Sequence, residues 1–558
     1  MPPTCNLTFV YRMVIVGVVV FSAAVLGLVP NVSEAMPSPQ PAVENVKIDR
    51  QTETVRPGVK VTIEQGDLAG IAQGGVMAFL GVPYAAPPVG ANRWRPPGQA
   101  PRWSGVRDAS RFGAGCMQQV WGAFPPYTKE FLTPEPVSED CLFLNVWTPA
   151  AAAGQKMPVL VFIHGGGFVG GSSSAPLYDG AALARNGIVV VTINYRLGVF
   201  GYLAHPELTA EDDRHTSGNY GLEDQIAALR WVQRNIISFG GDPDRVTVAG
   251  ESGGAVSVNA LMCSPDAARL FSKAAAYSGI SMGFLAPSLA EAEAYGISVA
   301  KSVGATSLSQ LRAVSARKLM QATSDLPAGP GGVPRFAFWP VVDGAVLPVD
   351  PNDGASRPVS AVPVLAGYNS DENSIMQVRG RDDLDWYARI WFGDWADRIL
   401  ALYPRATDEE ARRSARVLAR DRYMTSLLRW SDSRAAIYRQ TIYNYLYSHA
   451  SPVTDGPNYG AFHTAGMPYV FGNLDPGARP YVDDDKAMSN IMQAVLVNFV
   501  KSGKPQVPGI VGWDERRPTD LKVMDLDLRS AVIDGVSTPA RFDVLNRFAA
   551  SGGVLVLF

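Results

Sequence analysis

The chain has 558 residues, 47% of them hydrophobic, and a formal net charge of −3 from 49 Lys and Arg against 52 Asp and Glu. That composition is ordinary for a soluble globular protein, and its scattered cations leave no basic stripe for nucleic acid and no polybasic patch for a membrane surface. The length admits several small domains or one large one.

Residues 1–35 read differently from the rest. Arg12 is the only charge before the apolar run at 13–29, and Ser33 and Ala35 offer small side chains where a signal peptidase cuts. This is the pattern of a secretory signal, so the mature protein is expected to be exported, periplasmic or secreted, with no stable membrane insertion after cleavage. An uncleaved N-terminal anchor is the rival, since the run is near the lower limit for a span; Pro30 favours cleavage. Cys5 leaves with the signal. Of Cys116, Cys141 and Cys263, two should pair in an oxidising compartment. Cys116 and Cys141 enclose a short polar and aromatic segment, whereas Cys263 lies in the apolar context ALMC. The expected bridge is therefore Cys116 to Cys141, with Cys263 a buried, inert thiol that has no cation beside it.

Residues 36–58 lack periodicity and read as a flexible lead-in. From residue 59 the alternation VKVTIE, a turn at Gly66 and Asp67, and an apolar run at 76–80 predict a hairpin. FLGVPYAAPPVGANRWRPP (79–97) has too many prolines for a central strand and reads as surface loop. CLFLNVW (141–147), PVLVFIH (158–164) and IVVVTINYR (188–196) are continuous apolar runs of the kind buried on both faces of a parallel sheet. LEDQIAALRWVQRNI (222–236) has helical spacing, and the β-branched run at 246–248 follows it. A right-handed crossover would make the strands at 188–196 and 246–248 parallel neighbours. Further strands are expected at 274–279, 339–344, 362–369 and 441–449. Helices are expected within 284–335 and 380–440 and over NIMQAVLVNFVKSG (490–503). With no internal repeat or low-complexity linker, residues 59–558 read as a single α/β domain with helical insertions over a mostly parallel central sheet.

Ligands of such sheets sit at the carboxyl ends of the strands, and three segments end there with suitable chemistry. TVAGESGGA (247–255) is a strand, a tight glycine turn and a helix. Its pattern G-x-S-x-G around Ser252 is what a nucleophile elbow needs, although an ordinary serine in a glycine turn has the same letters. His164 is followed by Gly165, Gly166 and Gly167, whose backbone is free to aim N–H groups inward, as an oxyanion hole demands. No phosphate-loop pattern is present. Of the five histidines, His164 is fixed in the glycine loop, while His205 and His215 precede the elbow. The chain order serine, acid, histidine favours His463, which follows the late strand and leads into an aromatic helix start, as base. The acid then falls in YNSDEN, where Asp371 and Glu372 stand side by side.

The stretches FLGVPYAAPPVG, EDCLFLNVWTP, FIHGGGF, GNYGLEDQIAALRWVQRNIISFGGDPDRVTVAGESGG, GAFHTAGMPYVFGN and NFVKSGKP span about residue 59 to about residue 520. On these the chain resembles the type-B carboxylesterase and cholinesterase-like family. The resemblance implies an α/β-hydrolase fold and hydrolysis of a small-molecule ester without cofactor or metal. It implies Ser252 as nucleophile, Glu372 as acid, His463 as base, and an oxyanion hole from the N–H groups of Gly166, Gly167 and Gly253. It also implies two ion pairs, Arg93 with Glu139 and Arg196 with Asp224. Two residues depart from the pattern: Gly253 stands where alanine is usual, and Gly466 where a glutamate is usual. An amidase or carbamate hydrolase would use the same machinery, and a non-catalytic surface recognition protein on the same fold is a third reading. Trp121, Phe124, Tyr127 and Phe131, between the two cysteines, either line the mouth of the site or only pack the loop. The segments at 280–285 and 336–339 are expected to shape the acyl pocket.

Overall fold

The computed structural model describes residues 56–149, 154–281, 286–325, 338–374, 378–453, 456–475 and 477–555. The expected signal segment and all but the last three residues of the lead-in lie outside them. The sheet that carries the site is built from β1 (Arg56–Ile63), β2 (Gly66–Gln73), β3 (Val76–Pro83), β4 (Phe143–Pro149), β5 (Met157–Ile163), β6 (Val189–Ile193) and β7 (Gly241–Glu251). It continues through β8 (Lys273–Tyr277), β9 (Val364–Asn369), β10 (Ile442–Tyr447), β11 (Lys522–Leu526) and β12 (Ala531–Asp534). Their spatial order is β1-β2-β3-β4-β6-β5-β7-β8-β9-β10-β11-β12. From β6 through β11 every pairing is parallel, and the antiparallel pairings lie toward both edges.

The β-branched runs become central strands because both faces of the sheet are covered. Val159, Val161 and Ile163 of β5 enter one apolar core and Leu160 and Phe162 the other, the period-two alternation of a pleated strand. On the first face lie α1 (Tyr220–Asn235), through Leu229, Trp231 and Val232, and α2 (Gly253–Cys263), through Val256, Val258 and Leu261. The second face is covered by α7 (Asp483–Ser502), through Met492, Leu496 and Phe499. Between α2 and α7 in chain order lie α3 (Leu289–Ser302), α4 (Arg381–Phe392), α5 (Asp408–Tyr438) and α6 (Met467–Phe471), and α8 (Pro539–Ala550) comes last. A third core joins α4, α5 and α8 through Leu384, Leu418 and Leu545. Among the described residues no helix is long and apolar enough to cross a membrane.

Several expectations are corrected. β6 and β7 are parallel but not neighbours, because β5 pairs with both and separates them. The first turn falls at Glu64–Gln65, and Gly66 opens β2, a strand the alternation did not mark. Residues 79–83 are the end of β3 rather than loop; Pro83 is tolerated where β3 meets the start of β4. Nor is the rest of that segment all surface, since Trp94 is buried and its indole N–H donates to the Val199 carbonyl at 2.7 Å. Residues 339–344 contain Pro340 and form only an isolated bridge, Ser288 to Val342. The hairpin β11–β12 and α8 had no counterpart in the sequence reading.

Two ion pairs tie loops to this framework. Arg93 and Glu139 meet at 2.6 Å, and the same guanidinium donates to the carbonyls of Arg312 and Val314. Arg196 and Asp224 meet at 2.7 Å with side chains 3% and 0% exposed, and the Arg196 backbone N–H donates to the same carboxylate. Burial opposes the charge on Arg196, but Asp224 outweighs it and holds the guanidinium above its usual range. Asp224→Asn is expected to cost about 3–5 kcal/mol in denaturant unfolding, because it strands a buried cation. Arg413→Ala, which removes the exposed i, i+4 partner of Glu409, is expected to cost under about 1 kcal/mol.

Candidate active site

Strand β7 ends at Glu251 and α2 begins at Gly253, so Ser252 alone makes the turn, with φ 53° and ψ −123°. A side-chain-bearing residue rarely adopts that conformation, and close packing on all sides maintains it. The Ser252 N–H donates to the Tyr277 carbonyl at 2.9 Å, and its own carbonyl accepts from Ala255 and Val256. A Cβ on Gly254 would overlap the Ile163 carbonyl, which is why glycine stands there.

The structure brings Ser252, His463 and Glu372 together. Ser252 Oγ lies 2.8 Å from His463 Nε2, and His463 Nδ1 lies 2.5 Å from Glu372 Oε2. Glu372 is fully buried; its other oxygen accepts from Ser278 Oγ at 2.5 Å and from the Asn369 N–H at 2.7 Å. Asp371 faces elsewhere and accepts from Ser370 Oγ and the Ala461 N–H. Adjacent residues leaving a strand point to opposite sides, so only one of the pair can reach the imidazole.

A second carboxylate lies beside the histidine. Glu251 Oε1 is 3.4 Å from His463 Nε2 and accepts from Thr464 Oγ1 at 2.7 Å. Burial pushes the Glu251 carboxyl up to about 6. Burial alone would depress His463, but the Glu372 and Glu251 charges together raise it to about 9. Sequence reasoning passed over Glu251 as the variable letter of the elbow motif. The available signal was a carboxylate ending a strand whose sequence is otherwise built for burial.

His164, His205 and His449 do other work. His164 is buried, stacks on Tyr195 with ring centroids 4.6 Å apart, and is pushed down to about 4 by burial, so it stays neutral. His205 caps a short helix through Glu207 N–H, and His449 sits between Asp485 and Asp527. Cys263 is buried, but a cation does lie beside it: Arg434 Nη2 is 3.3 Å from its Sγ. Burial nevertheless pushes this thiol up.

Gly166 and Gly167 have φ of 110° and 58°, which only glycine adopts freely, and the Gly166 carbonyl is turned to accept from Val169 and Gly170. The nitrogen of Gly167 lies 3.3 Å from where a Cβ on Gly253 would stand, so the glycine loop and the elbow are in contact. The cavity above Ser252 has a volume of about 430 Å³ and includes Gly165, Gly166, Gly167 and Gly253 in its lining. Trp121, Phe124, Tyr127 and Phe131 line it too, from the loop closed by the Cys116–Cys141 disulfide. Trp339 also lines it, while residues 282–285, 336 and 337 lie outside the described set. Among the described residues no group of His, Cys, Asp and Glu could hold a metal ion. A serine hydroxyl, an imidazole oriented by a carboxylate, and glycine N–H groups nearby are the components of acyl transfer.

Residues 57–541 match the model of the carboxylesterase family. Over 482 residues the chain is 35% identical to the para-nitrobenzyl esterase of Bacillus subtilis (strain 168), covering 84% of this chain and 94% of that protein. It is 36% identical over 458 residues to the fumonisin B1 esterase of Sphingopyxis macrogoltabida, covering 79% and 82%. Against the phenmedipham hydrolase of Pseudarthrobacter oxydans it is 34% identical over 475 residues, covering 82% and 93%. A solved structure of PNB esterase matches with a TM-score of 0.72 at 31% identity, covering 87% of this chain and 99% of that one.

The two carboxylates around His463 set a pH dependence. A general base works only when neutral, and both negative charges favour the protonated ring, so activity should fall as pH drops through the raised His463 pKa. Glu251→Gln removes one of those charges and should move the acid limb of the kcat/KM profile down by about one unit or more. An unmoved limb would show that Glu251 does not act on the base.

Proposed function

The chain belongs to the carboxylesterase family and is a carboxylic ester hydrolase, and from that premise we propose how its residues divide the reaction. Ser252 Oγ attacks the ester carbonyl while His463 Nε2 accepts its proton; His463 then returns the proton to the departing alcohol. Glu372 holds the imidazole in the tautomer that leaves Nε2 free to accept and stabilises the imidazolium as it forms. The N–H groups of Gly166, Gly167 and Gly253 stabilise the tetrahedral oxyanion, each worth about 3 kcal/mol by the cost of losing one such donor in other enzymes. Water, deprotonated by the same histidine, hydrolyses the acyl-enzyme and releases the acid. The observation that carries this reading is the unbroken chain of contacts from Ser252 through His463 to Glu372 at the foot of the cavity.

The cavity argues for an ester that is uncharged around its carbonyl. Apart from His463, Glu251 is the only Asp, Glu, Lys, Arg or His among its lining residues, and aromatic rings and glycine backbone supply most of the rest. A small or medium ester with an aryl or branched apolar group fits that lining, whereas an anionic substituent would meet Glu251 with no compensating cation. The Cys116–Cys141 disulfide is compatible with an oxidising compartment, which supports export of residues 36–558 after removal of residues 1–35, with the catalytic domain from about residue 59.

Ser252→Ala is expected to reduce hydrolysis of an activated ester below a hundredth of wild type with the melting temperature nearly unchanged; higher residual turnover would place the nucleophile elsewhere. Glu372→Gln should lower kcat by about 10³–10⁴ by analogy with other triads, and Asp371→Asn far less. If the aspartate change is the severe one, the acid is wrong by one residue.

A further inference from the structure

The glycine loop that follows β5 has no ladder of its own to hold it, since residues 164–173 form neither strand nor helix. A donor on such a loop serves a developing oxyanion only if the peptide that carries it is already turned the right way. The Gly166–Gly167 peptide is planar and trans, so its carbonyl and its N–H point in opposite directions. The Gly166 carbonyl accepts from the Val169 and Gly170 N–H groups, each at 3.0 Å, which sends the Gly167 N–H the other way. What fixes Gly170 therefore fixes the aim of Gly167.

Gln118 supplies that hold. Its Nε2 donates to the Gly171 carbonyl at 2.8 Å and to the Cys116 carbonyl at 2.9 Å. Its Oε1 accepts from the Gly171 N–H at 2.8 Å and from Thr133 Oγ1 at 3.1 Å. The amide thus grips both polar groups of Gly171 and orients the peptide on each side of it, while Cys116 and Thr133 seat the amide on the loop closed by the disulfide. Gly171 has φ 101°, and a Cβ there would overlap the Gly165 carbonyl and the His164 ring, so the two limbs of the glycine loop touch at this point.

Gln118 lines the cavity above Ser252, yet it has nothing left to offer a ligand. A glutamine amide has two N–H donors and an oxygen with two lone pairs, and all of them are used within the protein. The side chain is also only 4% exposed. Any effect on the reaction must pass through the glycine loop.

We propose that Gln118 is a positioning residue: by gripping Gly171 it holds the glycine loop with the Gly166 and Gly167 N–H groups aimed at the place where the oxyanion forms. The role rests on the assignment of those groups, with the Gly253 N–H, as the oxyanion donors. Donors that must be turned at the moment of reaction lose most of their value, so loss of the grip should weaken binding of an oxyanion and spare binding of a neutral ligand.

The test is calorimetric titration of the full chain with two ligands of one shape, phenethyl trifluoromethyl ketone and the secondary alcohol obtained by reducing it. Ser252 Oγ adds to the ketone carbon, the C=O π pair becomes the hemiketal oxyanion, and the hydroxyl proton passes to His463; the alcohol has no such reaction. Wild type should prefer the ketone by about a hundredfold or more, and Ser252→Ala should lose that preference. Gln118→Leu removes every bond of the amide at similar volume. It should weaken the ketone about tenfold or more, change the alcohol by less than about twofold, and lower kcat/KM on an activated ester by a factor similar to that for the ketone. If it does not fold, Gln118→Glu, which keeps the length and both bonds to Oε1 but loses the donors, is read by the same criteria. Unchanged ketone affinity, or an equal loss for ketone and alcohol, would overturn the proposal. So would failure of both variants to fold, which would make Gln118 a support of the whole fold. A wild type without the preference for the ketone would remove the oxyanion assignment itself, and the role of Gln118 with it, whereas a preference that survives Gln118→Leu removes only the role.

Discussion

The site depends on one backbone conformation, the positive φ of Ser252. Such a residue costs about 1–3 kcal/mol and persists only where its surroundings over-determine it. Here β7 is clamped between β5 and β8, α2 is buried along its whole length, and the serine backbone bonds both to β8 and to its own helix. The partners of the serine then follow from the sheet. Tyr277, Asn369 and Tyr447 are the last residues of successive parallel strands, and Ser278, Glu372 and His463 lie in the segments just beyond them. A parallel sheet delivers these groups to one end because all its carboxyl termini lie there.

That arrangement concentrates charge in a place that resists it. Glu251, Glu372 and His463 are all nearly inaccessible to water, and two carboxylates share one imidazole. Glu372 is compensated by two donors besides the ring, so its charge is held by fixed dipoles. Glu251 has Thr464 and the far nitrogen of the same ring, and burial shifts it to about 6. The consequence for catalysis has two signs. In the proposed mechanism both carboxylates stabilise the imidazolium that forms as Ser252 attacks, but they also favour that ion before attack, which raises the pH needed to free the base. Glu251 is the member of the pair that burial pushes up toward neutrality.

How much was legible follows from what each residue answers to. The runs at 158–164, 188–196 and 246–248 announced buried strands because sheet burial on both faces demands continuous β-branched residues. Their spatial order was not legible: the chain passes from β5 to β6 and then back across β5 to β7, and no local propensity records that reversal. Trp94 is buried inside a proline-rich segment because a distant carbonyl, Val199, receives its indole N–H, a contact 105 residues away. At the site, the serine and the glycine loop could be read from their own backbone requirements. Choosing between Asp371 and Glu372 could not, since both are acids in one loop and only the direction of each side chain separates them. The resemblance named Glu372, and the distances give the physical ground on which one acid faces the ring.

The loop between Cys116 and Cys141 links the shape of the cavity to the position of the base. Tyr127 lines the cavity, packs edge-on against Phe462 with centroids 5.7 Å apart, and donates from its hydroxyl to the His463 carbonyl at 3.3 Å. Arg479, buried to 6% exposure, lies over Phe131 and Phe462 and bonds to Glu130 and the Pro126 carbonyl. A buried guanidinium satisfied by both segments holds their separation, because moving either would strand its charge. The aromatic residues that line the cavity and the peptide that carries the histidine therefore form one packed unit. Reshaping the cavity at Tyr127, or at Phe124 packed edge-on against it, must alter the seat of His463 as well, whereas Trp121, which is 56% exposed, can vary without that consequence.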